Sequence, residues 1–294
     1  MSFDLALLIV SFRPDFSYLR RLLDSIEKYN VDKLPVILIL PKDDIELAKS
    51  TLPLSNIKYI FEEEWFSKDI ELGNVGNFRR GYIMQGIIKL HAWKLGIAKN
   101  YFSVDSDTYF IRNFGKSDFF NFEDQVYSIL SQEKYLRVEP SFRSYDLPRQ
   151  PKIDEIRKRV DVQDSRLLQS QVNVILSSKV LESFTTEGME FLRMNYTSLF
   201  SLAPYEYGWY GFWLQKSKLI PIIPIEPLIY NFYTRGLYEN ALFAGISETD
   251  IARGYIGISK NSNWYGRYTS RTKLQKFEAR LRDVRRVLRL QNEI

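Results

Sequence analysis

Short apolar runs of four to six residues alternate with stretches whose apolar positions recur every three or four residues, and this alternation constrains the fold more than any other feature of the chain. A strand followed by a helix that returns to start a neighbouring strand builds a parallel sheet covered on both faces. Residues 5–11 form the first such run, and Phe16, Leu19, Leu22, Leu23 and Ile26 follow at helical spacing, with Asp15 or Ser17 placed to cap. Residues 36–40 give a second strand ended by Pro41, residues 45–52 a short helix, and residues 57–61 a third strand. Residues 82–95 read as a helix with Ile83, Ile87, Leu90 and Lys94 marking its turns; residues 101–104 then deliver Asp105-Ser106-Asp107 at a strand's carboxyl end. The expected class is α/β with a central, mostly parallel sheet.

After Phe119 the rhythm changes. Residues 126–130 and 172–176 read as further strands, and residues 180–196 as a helix. Between the two strands, residues 140–164 are polar and contain Pro148-Arg149-Gln150-Pro151, the composition of a loop or insertion. Pro221, Pro224 and Pro227 make residues 219–230 an edge strand or an extended connection. Residues 62–76 are acidic, then rich in glycine and asparagine, and read as a loop over a ligand. At the far end, residues 271–290 form an amphipathic helix with eight Lys or Arg and two acids. Its plain reading is packing through the Leu274, Phe277, Leu281, Val284 and Leu288 stripe; the sharper one is peripheral contact with an anionic inner membrane face.

Composition narrows the chemistry. Of 294 residues, 45% are apolar and 15% aromatic, enough to build a core, while a net charge of +5 suits anionic ligands without choosing among them. Cysteine is absent and His91 is the single histidine, which excludes a disulfide scaffold, a cysteine nucleophile and a multi-histidine metal centre. A divalent metal here must rest on oxygen ligands, so Mg2+ or Mn2+ is expected rather than zinc. The first residues lack a basic segment ahead of the apolar run, and no apolar stretch nears the roughly 20 residues that span a bilayer; a cytoplasmic location is expected.

Two carboxylates one residue apart on an extended strand point the same way and can share one cation. A hard divalent ion held by one or two carboxylates neutralises a nucleoside diphosphate, and open α/β sheets bind ligands at strand carboxyl ends. Asp105 and Asp107 are therefore candidate metal ligands, although an Asp-x-Asp triplet also occurs as a plain turn that ends a strand.

Ile88-Lys89-Leu90-His91-Ala92-Trp93-Lys94-Leu95, followed by Tyr101-Phe102-Ser103-Val104-Asp105-Ser106-Asp107-Thr108, resembles the glycogenin-like glycosyltransferases of family 8 and their relatives with the GT-A fold. The similarity is specific over residues 80–112 and schematic elsewhere. It implies a GT-A, Rossmann-like domain over residues 1–268, with a nucleotide-binding half (1–115) and an acceptor half (116–268), followed by the basic helix (269–294). It further implies a nucleotide-sugar donor, UDP-linked by preference, Mn2+ or Mg2+ on Asp105 and Asp107, Ser106 near the ribose and Lys89 in the donor pocket. The family's metal-binding His-x-x-Gly-x-x-Lys is matched only in part: Gly257 and Lys260 keep their spacing, but Gly254 stands where the histidine belongs. Lys260 is then a candidate diphosphate contact or a solvated lysine, Ser259 and Asn261 are substitutes for the missing ligand only on paper, and His91 reads as a ring packed between helix and sheet.

Other candidates come from residue type and place. Pro204-Tyr205-Glu206-Tyr207-Gly208-Trp209-Tyr210-Gly211-Phe212-Trp213 joins one carboxylate to aromatic faces that suit a sugar, making Glu206 the candidate general base if the reaction inverts the anomeric centre, whereas the family 8 resemblance implies retention without an obvious base; the plain alternative is an aromatic core strand with an incidental acid. Arg79 and Arg80 are candidate diphosphate contacts or a solvated turn, and Gln171 and Asn173 are candidate donor-sugar contacts or structural polar residues. The expected acceptor is a glycan or a lipid-linked hydroxyl in surface polysaccharide synthesis; the expected partners do not include nucleic acid. Two rivals stand beside the transferase: a haloacid-dehalogenase-like phosphatase with Asp105 as nucleophile, and a degenerate transferase fold that only binds carbohydrate. The phosphatase motif normally ends the first strand of its fold, whereas earlier strands precede this one.

Overall fold

The computed structural model describes residues 2–52, 57–65, 73, 75–76, 78–132, 134–162, 167–169 and 172–261. The basic helix expected over residues 271–290, much of the 62–76 loop and Gln171 lie outside the described residues. Among the described residues ten strands form, in chain order: β1 (Phe3–Val10), β2 (Val36–Leu40), β3 (Ile57–Phe61), β4 (Ala98–Ser103), β5 (Thr108–Phe110), β6 (Leu130–Ser131), β7 (Leu168–Gln169), β8 (Val174–Ser177), β9 (Ile229–Phe232) and β10 (Gly257–Lys260).

The central sheet has the order β3-β2-β1-β4-β8; β1 to β4 run parallel and β8 pairs antiparallel with β4. The alternation of side chains divides the apolar runs between two cores. Ala6, Leu8, Val10, Ile37 and Ile39 face one layer, while Leu5, Leu7, Ile9, Leu38 and Leu40 face the other. The first layer is closed by Ile83, Ile87 and Ile88 of the Arg80–Leu90 helix and by the Glu206–Ser217 helix. The second is closed by Leu19, Leu22, Leu23 and Ile26 of the Phe16–Tyr29 helix. Burial on both faces explains why β1 and β2 read as unbroken apolar runs.

A three-stranded sheet, β5-β10-β9, adjoins this core, and β6 pairs with β7 in a short ribbon. Among the described residues no helix is long and apolar enough to cross a membrane.

Several elements differ from the sequence expectation. The polar stretch over residues 140–164 holds two helices, Pro140–Asp146 and Gln150–Val160, because Pro140 and Pro151 occupy first-turn positions where no intrahelical N–H is needed, while Pro148 lies in the turn between them. Ile153, Ile156 and Val160 supply the buried stripe of the second helix. The aromatic segment is a helix, Glu206–Ser217, rather than a strand, and it is buried from Tyr207 through Leu214, so no amphipathic stripe announced it. The helix expected over residues 180–196 breaks into Ser178–Ser183, a π-turn at Phe184–Gly188 and Met189–Leu192, and a new helix, Tyr196–Leu202, starts on an Asn195 cap. Likewise Arg80–Leu90 ends five residues before Leu95, and a 3-10 turn, Ala92–Leu95, completes the segment up to Gly96 at φ +60. Of the strand expected over residues 126–130, residues 126–129 pair only through isolated bridges, Phe120 with Val126 and Ser128 with Pro224, and Leu130 opens β6.

Candidate active site

β1 lies between β2 and β4, so the chain reverses its direction of growth across the sheet at the β1/β4 boundary. The crevice outside the carboxyl ends of those two strands is the topological switch point, where open α/β sheets bind ligands. Val104 N–H still donates to the Leu8 carbonyl at 2.9 Å, and the chain then leaves the sheet. Asp105-Ser106-Asp107 is a turn rather than the end of a strand: Thr108 N–H donates to the Asp105 carbonyl at 3.0 Å, and β5 begins in the neighbouring sheet.

Because the backbone turns here, the strand alternation expected for the triplet does not apply and its two carboxylates have different neighbours. Asp105 Oδ1 accepts from Lys89 Nζ at 2.8 Å. Asp107 Oδ1 accepts from Ser259 Oγ at 3.3 Å, and its carbonyl accepts from the Lys260 N–H at 3.1 Å. Ser106 Oγ donates to Ser11 Oγ at 2.9 Å, which ties the turn to the residue just past β1.

Lys89 sits in the last turn of the Arg80–Leu90 helix and is 3% exposed. Its ammonium also lies 3.3 Å from Glu206 Oε1 and 4.8 Å from the centre of the Tyr207 ring. Tyr207 OH in turn shares a hydrogen bond with Ser103 Oγ at the end of β4, 2.9 Å away. Burial works against the lysine's charge, but Asp105, then Tyr207 and Glu206, outweigh it and hold its pKa well above the ordinary value. Burial of the phenol foremost pushes the Tyr207 pKa up, so it stays a neutral hydroxyl. Glu206 opens its helix, where the backbone N–H groups favour a negative charge. Three residues before Lys89, Gly86 permits the approach of this helix: a Cβ there would lie 2.9 Å from Phe200 Cε1 and 3.3 Å from Glu206 Oε2.

Asn173 braces the turn from beneath. It is 1% exposed, and its Oδ1 accepts from both the Asp105 N–H and Thr108 Oγ1 at 3.1 Å. Its Nδ2 donates to Asn231 Oδ1 on β9 at 3.2 Å. The backbone at Asn173 is left-handed, φ +54, a conformation that asparagine tolerates better than most residues.

The structure thus gathers Lys89, Asp105 and Glu206 into one cluster, with Ser106, Asp107 and Asn173 in or under the adjoining turn. Arg79 and Arg80 are exposed at the other end of the helix, about 14 Å from Lys89 along its axis, and do not join the cluster. Lys260 meets the turn through its backbone, while its ammonium stands 4.5 Å from the Tyr238 ring centre and 5.5 Å from that of Tyr109. His91 is buried and hydrogen-bonds through Nε2 to Tyr196 OH, as a packed ring does. Burial, with a smaller effect of Lys94, lowers its pKa to about 4. Sequence reasoning passed over Ser11, Gly86 and Asn231 as site residues; the position of Ser11 at the end of the first apolar run was the available signal.

The donor set on the turn suits a hard divalent cation. It consists of carboxylate oxygens, the Asp105 side chain is 22% exposed, and Asp107 is half-buried. Among the described residues no three His, Cys, Asp or Glu side chains gather into a closed metal cage. A cation held here by Asp105 and Asp107 would complete its shell with phosphate oxygens and water, as Mg2+ commonly does.

No protein-family model matches the sequence, and no curated protein matches it significantly. Among solved structures, the chain is similar to the crystal structure of mouse xyloside xylosyltransferase 1 in its apo form, with 13% identity over 90% of this chain and 99% of that one and a TM-score of 0.44.

Proposed function

We propose that this chain is a metal-dependent glycosyltransferase of the GT-A type, moving a sugar from a nucleoside diphosphate to a hydroxyl of a glycan or lipid-linked acceptor. The observation that carries this reading is the Lys89–Asp105–Glu206 cluster beside the Asp-Ser-Asp turn at the β1/β4 switch point. Asp105 and Asp107 would hold Mn2+ or Mg2+; when bound, such an ion supplies positive charge against the departing diphosphate. Lys89 keeps its proton, fixes the orientation of Asp105 and balances part of the negative charge that the two carboxylates bring to the crevice. Glu206 accepts the proton of the acceptor hydroxyl. The hydroxyl oxygen bonds to the anomeric carbon as that carbon's bond to the diphosphate oxygen breaks, and the bonding pair leaves on the diphosphate. Ser106 and Asn173 hold the turn in register, Ser106 through Ser11 and Asn173 through the Asp105 N–H.

The test is thermal shift with a nucleoside-diphosphate panel and Mn2+, followed by donor hydrolysis and transfer assays. Stabilisation by UDP with Mn2+ is expected, together with loss of turnover by 100-fold or more in folded Asp105→Ala and in Asp107→Ala; Asp105→Ala is also expected to melt lower, because it leaves buried Lys89 with Glu206 alone. Undiminished turnover in both variants would remove the metal role. Near-normal kcat in Glu206→Gln would remove the base.

A further inference from the structure

Arg149 is a cation beside this cluster to which the transfer reaction assigns no task. It immediately precedes the Gln150–Val160 helix, and its guanidinium carbon lies 4.0 Å from the ring centre of Tyr145 and 5.0 Å from that of Tyr205, the residue before Glu206. Its Nε is buried without a hydrogen-bond partner, and among the described residues no carboxylate pairs with it. A buried donor left unmet is uncommon, and here it belongs to a group whose planar fork matches carboxylate and phosphate oxygens. Two aromatic faces hold the guanidinium in place and leave its edge for such a partner.

The surroundings are those of a sugar subsite. Phe78 and Tyr82 stack at 5.9 Å between ring centres with about two-fifths of each residue exposed, the flat apolar surface that a pyranose ring covers. Tyr82 OH donates to the Pro204 carbonyl at 3.2 Å, which joins this platform to the segment leading into Glu206. The Tyr82 hydroxyl is raised in pKa by burial first and then by Glu206, while Arg149 and Lys89 oppose the rise, so all of these charges act on one neighbourhood.

We propose that Arg149, held between Tyr145 and Tyr205, binds an acidic group, carboxylate or phosphate, of a saccharide acceptor whose ring covers Phe78 and Tyr82 beside Glu206. The acceptor is assigned rather than the donor because Arg149 contacts Tyr205, next to Glu206, while among the described residues no ion pair or hydrogen bond joins it to the Asp105-Ser106-Asp107 turn. This assignment of acceptor class rests on the transferase reading.

Calorimetric titration of the full chain, free of nucleotide and metal, with methyl β-glucuronide, glucose 6-phosphate and methyl β-glucoside tests it. At least one acidic sugar is expected to bind tenfold tighter or better than the neutral glucoside. A preference for the glucuronide alone identifies carboxylate, for the phosphate alone identifies phosphate, and for both an oxyanion in general. Arg149→Met is expected to reduce the preference below threefold, and Arg149→Lys, which keeps charge and stem, to reduce it several-fold; the lysine variant decides the matter where the methionine variant does not fold. Equal binding of acidic and neutral sugars by the wild type, or a preference that persists in these variants, overturns the proposal. Stabilisation by UDP with Mn2+ is expected to be unchanged in Arg149→Met, and its loss overturns the acceptor assignment in favour of the donor phosphates. Failure of UDP and Mn2+ to stabilise the wild type, with the acidic-sugar preference intact, instead overturns the transferase reading and leaves an anion-recognising carbohydrate site.

Discussion

A lysine ammonium taken almost wholly out of water is tolerable only because two carboxylates meet it, and the same contact orients both carboxylates. The place of Lys89 beside the triplet was legible only through the family resemblance carried by residues 80–112; its pairing with Glu206, 117 residues away, was not, because no local pattern records a tertiary contact of that span. His91, two positions on, shows the opposite electrostatics. Its ring is neutral in the fold, with a pKa near 4 against 6.5 in an unfolded chain, because burial and then Lys94 disfavour the charged form. Below pH 6.5 the unfolded chain takes up a proton that the folded ring refuses. The stability associated with neutral His91 is therefore complete above pH 6.5 and declines as pH falls toward 4, by about 3 kcal/mol at most. Urea unfolding at half-unit pH steps should show a wild-type slope across that window that flattens in His91→Gln. Parallel pH profiles for the two proteins would mean that His91 takes up its proton without opposing the fold.

Between elements, the closest constraint on the site is the contact of the Arg80–Leu90 and Glu206–Ser217 helices. Gly86 costs helix propensity, about 1 kcal/mol relative to alanine, yet an added methyl group would press on Phe200 and on the carboxylate of Glu206. Gly86→Ala is expected to lower stability by about 1–3 kcal/mol despite the propensity gain, and to reduce kcat more than tenfold through displacement of Glu206. Denaturant midpoints and steady-state kinetics measure both; a variant that is more stable and fully active would show that the helices separate without consequence. The parallel strands were readable because β1 and β2 are buried on both faces and admit little but aliphatic residues. Helices were misread where a boundary signal has two meanings, as Pro140 and Pro151 end loops by opening helices, or where burial all round erases periodicity, as from Tyr207 to Leu214. The Asp-Ser-Asp triplet was legible at the end of β4, with aligned strand carboxylates and a plain turn both open; the turn forms, closed on the Asp105 carbonyl and anchored on Asn173, a residue too far away in sequence for a local pattern to show.

At the scale of the molecule, the candidate site is the seam of two sheets. β4 belongs to the central sheet and β5 to the three-stranded one, and the Asp105-Ser106-Asp107 turn is the covalent passage between them. The noncovalent passage is Asn173, at the entrance to β8, bonded to Asn231 on β9, while Ser259 and Lys260 of β10 hold Asp107. Any movement of the three-stranded sheet against the central one therefore shifts the carboxylates. The Asn173–Asn231 bond is buried, so removing one partner leaves the other's amide without its hydrogen bond, whereas removing both does not add a second penalty of that kind. Asn173→Gly keeps the left-handed backbone accessible while deleting the amide, and Asn231→Ala deletes its partner. Each single variant is expected to lose about 1–3 kcal/mol, and the double variant about 1 kcal/mol less than their sum. Asn173→Gly should also weaken Mn2+ binding measured by titration with UDP present, because the Asp105 N–H and Thr108 hydroxyl lose their common acceptor. Additive stability losses with unchanged Mn2+ affinity would show that the Asn173–Asn231 bond does not couple the sheets and would leave control of the turn to Lys89, Ser11 and the β10 residues that hold Asp107.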